Sequence, residues 1–153
     1  MDVRPAASHP AGYVVVLLGV VGFLVACFLP YYGGPVLGSD RTISLYDSVR
    51  LPGASSGEVF ASRLYLFAGA ATVGVIALVG IARTRTWTPY ALLAGVAVWT
   101  LTWLGVLISQ WGFLKHEVGY WIALASLGVA LVGTIVVWLS SRSSEPEPAQ
   151  IAA

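Results

Sequence analysis

Apolar residues in this chain come in four long blocks, not in short alternating or one-sided stripes. Tyr13–Leu29, Leu64–Ala82, Tyr90–Ile108 and Val118–Leu139 contain no Asp, Glu, Lys, Arg or His. A helix needs about 20 residues to cross a hydrocarbon core about 30 Å thick. The last three blocks reach or approach that length, and the first does so once Ala11 and Gly12 are added. Membrane β-strands are about half as long and alternate in polarity, and none of the blocks alternates. Helices also satisfy their own backbone hydrogen bonds, which lipid cannot do. The pattern predicts an all-α membrane protein, a bundle of four transmembrane helices over 13–29, 64–82, 90–108 and 118–139. A larger outer loop, 30–63, separates the first two, and the tails are 1–12 and 140–153.

Polar punctuation agrees with these blocks. Thr88-Pro89 is an N-cap followed by proline at the first helical position. Ser55 with Glu58 resembles a capping box, so the second helix is expected to begin near Ser56, before the membrane. Tyr13, Trp87, Tyr90 and Trp138 are expected as an aromatic belt at one interface, and Tyr31, Tyr32, Tyr65, Trp111, Tyr120 and Trp121 at the other. Lys and Arg tie between the two sides. Arg83 and Arg85, however, sit in a very short turn, where the positive-inside bias is strongest. Both termini are therefore expected in the cytoplasm, with the 30–63 loop outside the plasma membrane.

Composition narrows the function classes. Of 153 residues, 58% are hydrophobic and 10% charged, against about 25% charged in soluble domains. The mean hydropathy is +0.83. A net charge of +1 gives no footprint for nucleic acid. Cys27 is the single cysteine, which rules out an intrachain disulfide and a cysteine-cluster metal site. Leu24-Val25-Ala26-Cys27 also fits a lipobox, whose cleavage would leave Cys27 lipidated. The residues that follow, Phe28, Leu29, Tyr31 and Tyr32, are apolar or interfacial, not a polar tether, so the stretch reads as the rim of a retained helix stopped by Pro30.

Few residues offer chemistry. The third block carries Thr102, Gly105 and Ser109 on one helical face, with Gln110 at its outer end. This face serves either helix packing, through small and hydroxylated residues, or contact with a neutral solute. Gly22 with Ala26, and Ala70 with Gly74, are further small-residue pairs. In the outer loop Ser44 precedes Asp47 by three positions, a short capping box that would seat Leu45, Tyr46 and Val49 on the bundle or the membrane surface. Ser44, Tyr46 and Asp47 form the candidate interaction element of that loop. Lys115, His116 and Glu117 are adjacent and are expected in a solvated turn; a metal site there would need Asp40 or Asp47 as well. The two prolines and low hydrophobic content of the 140–153 tail predict disorder. No nucleophile elbow, P-loop, HExxH or dinucleotide fingerprint occurs, and no cofactor is implied.

The rim Leu29-Pro30-Tyr31-Tyr32 and the loop element Ser44-Leu45-Tyr46-Asp47, followed by three more spans, resemble small four-helix membrane proteins of actinobacteria that carry no assigned activity. The resemblance implies the four-span layout and contributes no catalytic residue. Claudin-like tetraspans share the layout, but their paired loop cysteines are missing here. The expected function is a non-enzymatic accessory or scaffolding subunit, embedded in the lipid bilayer and packed against a membrane-protein partner or itself. The alternative is a small channel or permease for a neutral or apolar solute. An ionisable group inside a span marks most proton relays and ion pathways, and none is present in these blocks.

Overall fold

The computed structural model describes residues 10–33, 42–48, 56–83, 86–109 and 115–143. The chain is mostly helical. In order, its elements are helix α1 (Pro10–Ala26), strands β1 (Pro30–Gly33) and β2 (Thr42–Ser44), a single turn α2 (Leu45–Ser48), helices α3 (Ser56–Ala82) and α4 (Thr88–Ser109), strand β3 (Lys115–His116) and helix α5 (Val118–Arg142). The long helices follow the four apolar blocks. α3 begins at Ser56 and α4 at Thr88, the positions expected from the sequence, although Thr88 Oγ1 makes no capping hydrogen bond. Among the described residues, α5 is long and apolar enough to cross a membrane; the apolar stretches Pro10–Ala26, Phe67–Ala82 and Thr88–Leu104 are shorter.

α1 stops at Ala26, three residues before the expected end at Leu29. The next amides, of Phe28 and Leu29, donate to Val25 and Ala26 in tight i→i−3 bonds of 3.1 and 3.2 Å. Pro30 then has no N–H to continue the ladder and opens β1 instead.

The four long helices close into a ring in the order α1, α3, α4, α5. Each runs antiparallel to its neighbours. Gly12 lies at Gly133 and Val137, while Gly19 lies at Ser126 and Ala130, so α1 and α5 run in opposite directions. Gly80 faces Tyr13 and Gly74 faces Val20, which sets α3 against α1 in the same sense.

The α1–α5 pairing is the closest in the bundle. Gly12, Gly19 and Ala26 recur every seven residues on α1, and Gly119, Ser126 and Gly133 do the same on α5; all six are buried. A Cβ added to Gly19 would sit 2.7 Å from the backbone nitrogen of Ala130 and 2.7 Å from the carbonyl oxygen of Ser126. One added to Gly133 would meet the Gly12 carbonyl at 2.8 Å. The two backbones therefore touch directly, and a side chain on either would force them apart. The hydroxyls on α5 do not obstruct this approach, because each bonds within its own helix: Ser126 Oγ donates to Ile122 O at 2.7 Å and Thr134 Oγ1 to Ala130 O at 2.8 Å.

The opposite side of the bundle is filled by rings. Phe23 of α1 reaches across to Trp99 and Trp103 of α4, edge-on at centroid distances of 5.0 and 4.9 Å. Trp99 in turn lies against Gly69 of α3. Leu92 and Val96 of α4 and Val73 of α3 complete this part of the core.

One end of the bundle carries a three-stranded antiparallel sheet in the order β2-β1-β3. β1 pairs with β2 through Pro30–Ser44, Tyr32–Ile43 and Gly33–Thr42, with an irregularity between Pro30 and Tyr32. On its other edge Tyr32 and Gly33 pair with His116 and Lys115. The expectation of an all-α fold thus gains one small sheet. Its strands are two to four residues long, too short to register as an alternating pattern, and one of them is remote in sequence from the other two.

Candidate functional site

The chemistry-bearing residues gather at the sheet end. Ser44 ends β2 and caps α2. Its hydroxyl accepts the backbone N–H of Asp47 at 3.1 Å and donates to Asp47 Oδ2 at 2.9 Å. The reciprocal pair closes the single turn of α2, as a capping box does for a longer helix. Tyr46 then donates its backbone N–H to the carbonyl of Cys27 at 3.0 Å, which pins the turn to the end of α1. Leu45 is buried beneath it. The Tyr46 ring joins Phe28 and Phe67 in an aromatic cluster, with centroids 5.1 and 6.2 Å away. The Ser44–Asp47 element is therefore an ordered clasp between α1, the sheet and α3. Cys27 is fully buried at its foot.

Lys115, His116 and Glu117, expected in a solvated turn, are instead built into the sheet and the start of α5. Glu117 donates its N–H to Tyr31 O at 3.1 Å and accepts the N–H of Tyr120 at 3.1 Å. The His116 ring lies 4.0 Å from the Tyr120 ring. Tyr120 contacts Tyr31 edge-on at 5.7 Å and Trp121 at 5.2 Å. Among the described residues no three His, Cys, Asp or Glu side chains come together; Asp40 lies outside them.

Three of the expected interfacial anchors turn inward. Tyr31 is 1% exposed and Tyr120 3%, because the sheet folds β1 over the bundle and leaves them beneath it. Tyr13, at the other end, is buried against Gly80. Trp87, Tyr90 and Trp121 are the belt residues that remain exposed. The side chains of Tyr32, Tyr65 and Trp111 lie outside the described residues.

Of the third-helix face, Thr102 is the residue whose side chain the structure describes. Thr102 Oγ1 donates to Val98 O at 2.8 Å, within its own helix. Gly105 and Ser109 lie in the last turns of α4, and their side-chain surroundings fall outside the described residues, as does Gln110. The polar atoms that stand out on α4 are others: Thr88 Oγ1, Trp99 Nε1 and Thr100 Oγ1 are buried without a hydrogen-bond partner. A mid-span tryptophan beside threonines is the sequence signal for them, but it reads equally as apolar bulk.

The α1–α5 contact takes in the expected small-residue pair Gly22 and Ala26 and extends beyond it. Gly22 does approach Ser126, and Ala70 is buried. Backbone contact itself occurs at Gly12, Gly19 and Gly133, on the seven-residue spacing that antiparallel helices use, not on the four-residue spacing of the small-residue pairs. No protein-family model, no curated protein and no solved structure matches this chain.

Proposed function

We propose that this chain is a multi-pass integral membrane protein whose four long helices all span the bilayer, and that it acts as a non-enzymatic scaffolding or accessory subunit. One observation carries the reading: large aliphatic side chains cover the outside of every long helix, while the closest helix contact is lined by small residues. Glycine, alanine, serine and threonine face inward at the α1–α5 contact. Val14, Leu18, Val21 and Val25 on α1, Val75 and Leu78 on α3, Val98 and Leu101 on α4, and Val132, Ile135 and Leu139 on α5 all face outward. Lipid tails are as apolar as leucine, so helices in a membrane gain by close approach and leave their large aliphatic residues to the tails. In water a surface so apolar on every side would aggregate.

The topology that fits is a pair of helical hairpins with both termini in the cytoplasm and the sheet-capped end outside. Polar groups of the described core are either satisfied within their own helix or sit singly, which supports a packed interior over a solute path. The scaffolding reading follows from an ordered outer clasp without a gathered catalytic or metal-binding set among the described residues; its partner is a second membrane protein or a second copy of the chain.

Alkaline carbonate extraction tests the membrane reading: the chain stays with the pellet, and release into the supernatant overturns it. Cross-linking followed by purification in mild detergent tests the scaffolding reading. A specific co-purifying membrane protein or dimer supports it, and a clean monomer with no cross-linked band overturns it.

A further inference from the structure

The two ends of the bundle differ in charge as well as in shape. At the sheet end the described residues include the carboxylates Asp47 and Glu117 beside Lys115 and His116. At the opposite end, where α1 and α4 begin and α3 and α5 finish, the described residues contain Arg83 and Arg142 and no carboxylate; Glu145 and Glu147 follow in the sequence, outside the described residues.

Arg142 is held in a defined place. Its guanidinium carbon lies 3.8 Å from the centroid of the Trp138 ring, one turn earlier on α5, a cation–π contact that flattens the guanidinium against the indole. Two carbonyls near the helix end accept from serines: Ser141 Oγ donates to Trp138 O at 2.7 Å, and Ser143 donates to Leu139 O through its N–H at 3.2 Å and its hydroxyl at 3.1 Å. Arg142 is exposed, and Ile135, Val136 and Leu139 are exposed on the turns just before it. The neighbouring helix α4 starts at the same end with Trp87 and Tyr90 exposed.

We propose that this end of the bundle binds an anionic phospholipid, with the phosphate-bearing headgroup on Arg142 beside Trp138 and the acyl chains along the exposed aliphatic face of α5. This deepens the membrane reading above and rests on it. A guanidinium lying flat on a ring keeps its edge donors available, and those donors fit a phosphate oxygen pair. The aliphatic face below it distinguishes a lipid from a free phosphate, which would leave that face unused.

The test is a lipid titration of the full chain, delipidated in a nonionic detergent, with bound lipids counted by native mass spectrometry. Phosphatidylglycerol is expected to bind about fivefold more tightly than phosphatidylcholine, the ratio corresponding to roughly 1 kcal/mol per basic residue near a membrane surface. Arg142→Gln should bring the two lipids to equal affinity with helicity and phosphatidylcholine binding unchanged. Arg142→Lys should keep part of the preference. Excess inorganic phosphate should not displace the lipid. An unaltered preference in Arg142→Gln, equal affinities in the natural chain, or displacement by phosphate would each overturn the proposal. Failure here is separable from failure of the membrane reading: a chain that resists carbonate yet shows no preference refutes the lipid site alone, whereas a chain that carbonate releases refutes both.

Discussion

The α1–α5 contact and the α4 side of the bundle solve the same packing problem in opposite ways. Along α1–α5 the side chains are nearly absent and the backbones meet. Beside α4 the space is wide and is filled by Phe23, Trp99 and Trp103. The first solution maximises dispersion contacts per residue, but it tolerates no added atoms. The second tolerates reshaping, because rings can tilt, and it has left buried polar atoms of Thr88, Trp99 and Thr100 without partners. Specificity of assembly therefore resides in the glycine-lined contact, and adaptability beside α4.

This contrast can be broken most forcefully at Gly19. Gly19→Leu drives a side chain into the backbone of α5, which cannot rotate away. The expected cost is more than about 3 kcal/mol, beyond ordinary overpacking, with loss of the folded bundle in a detergent unfolding titration. Retention of a native melting profile would show that the contact is looser than described. On the other side, Trp99→Ala should cost about 3 kcal/mol, the low end for emptying an aromatic site, since the neighbouring rings of Phe23 and Trp103 can tilt into part of the space.

Smaller changes sharpen the comparison. Ser44→Ala removes the cap of α2 and is expected to cost about 1 kcal/mol. Amide exchange should quicken at Asp47 and Tyr46 and stay slow at Ala130; acceleration at both would mean that the clasp and the α1–α5 contact unfold together. Trp99→Phe should be the mildest, within about 1 kcal/mol of the natural chain, because lost ring volume is offset by removing an N–H that had no acceptor. A loss as large as that of Trp99→Ala would show that the indole nitrogen does have a partner.

Much of the helical framework was readable in the sequence, since an uncharged run of some twenty residues has few alternatives and Pro89 suits a first helical turn, even though the Thr88 hydroxyl does not cap it. Azimuth was not readable. Belt arguments assign Tyr13, Tyr31 and Tyr120 a depth but not a direction, and all three point inward. The glycine contact was legible only in part for a related reason: Gly22 and Ala26 stand out at a four-residue spacing and do face α5, while Gly12 and Gly19 are seven apart and mean nothing without Ser126 and Gly133 opposite them. The Ser44–Asp47 turn was legible because both bonds are local. The sheet to which it belongs was not, since no local signal ties Lys115 and His116 to Tyr32 and Gly33.

That remote strand has a consequence for the order in which the molecule is made. β1 and β2 can pair as soon as residue 44 has left the ribosome, but the second edge of β1 stays open until Lys115 and His116 arrive, after α3 and α4 have been synthesised. An open strand edge is a site for mispairing, and this one is closed by the segment that leads directly into α5. The sheet is thus completed only when the last helix is on its way into place, which makes it a record of finished folding: a chain truncated before residue 115 would carry the same first two strands and no closed cap.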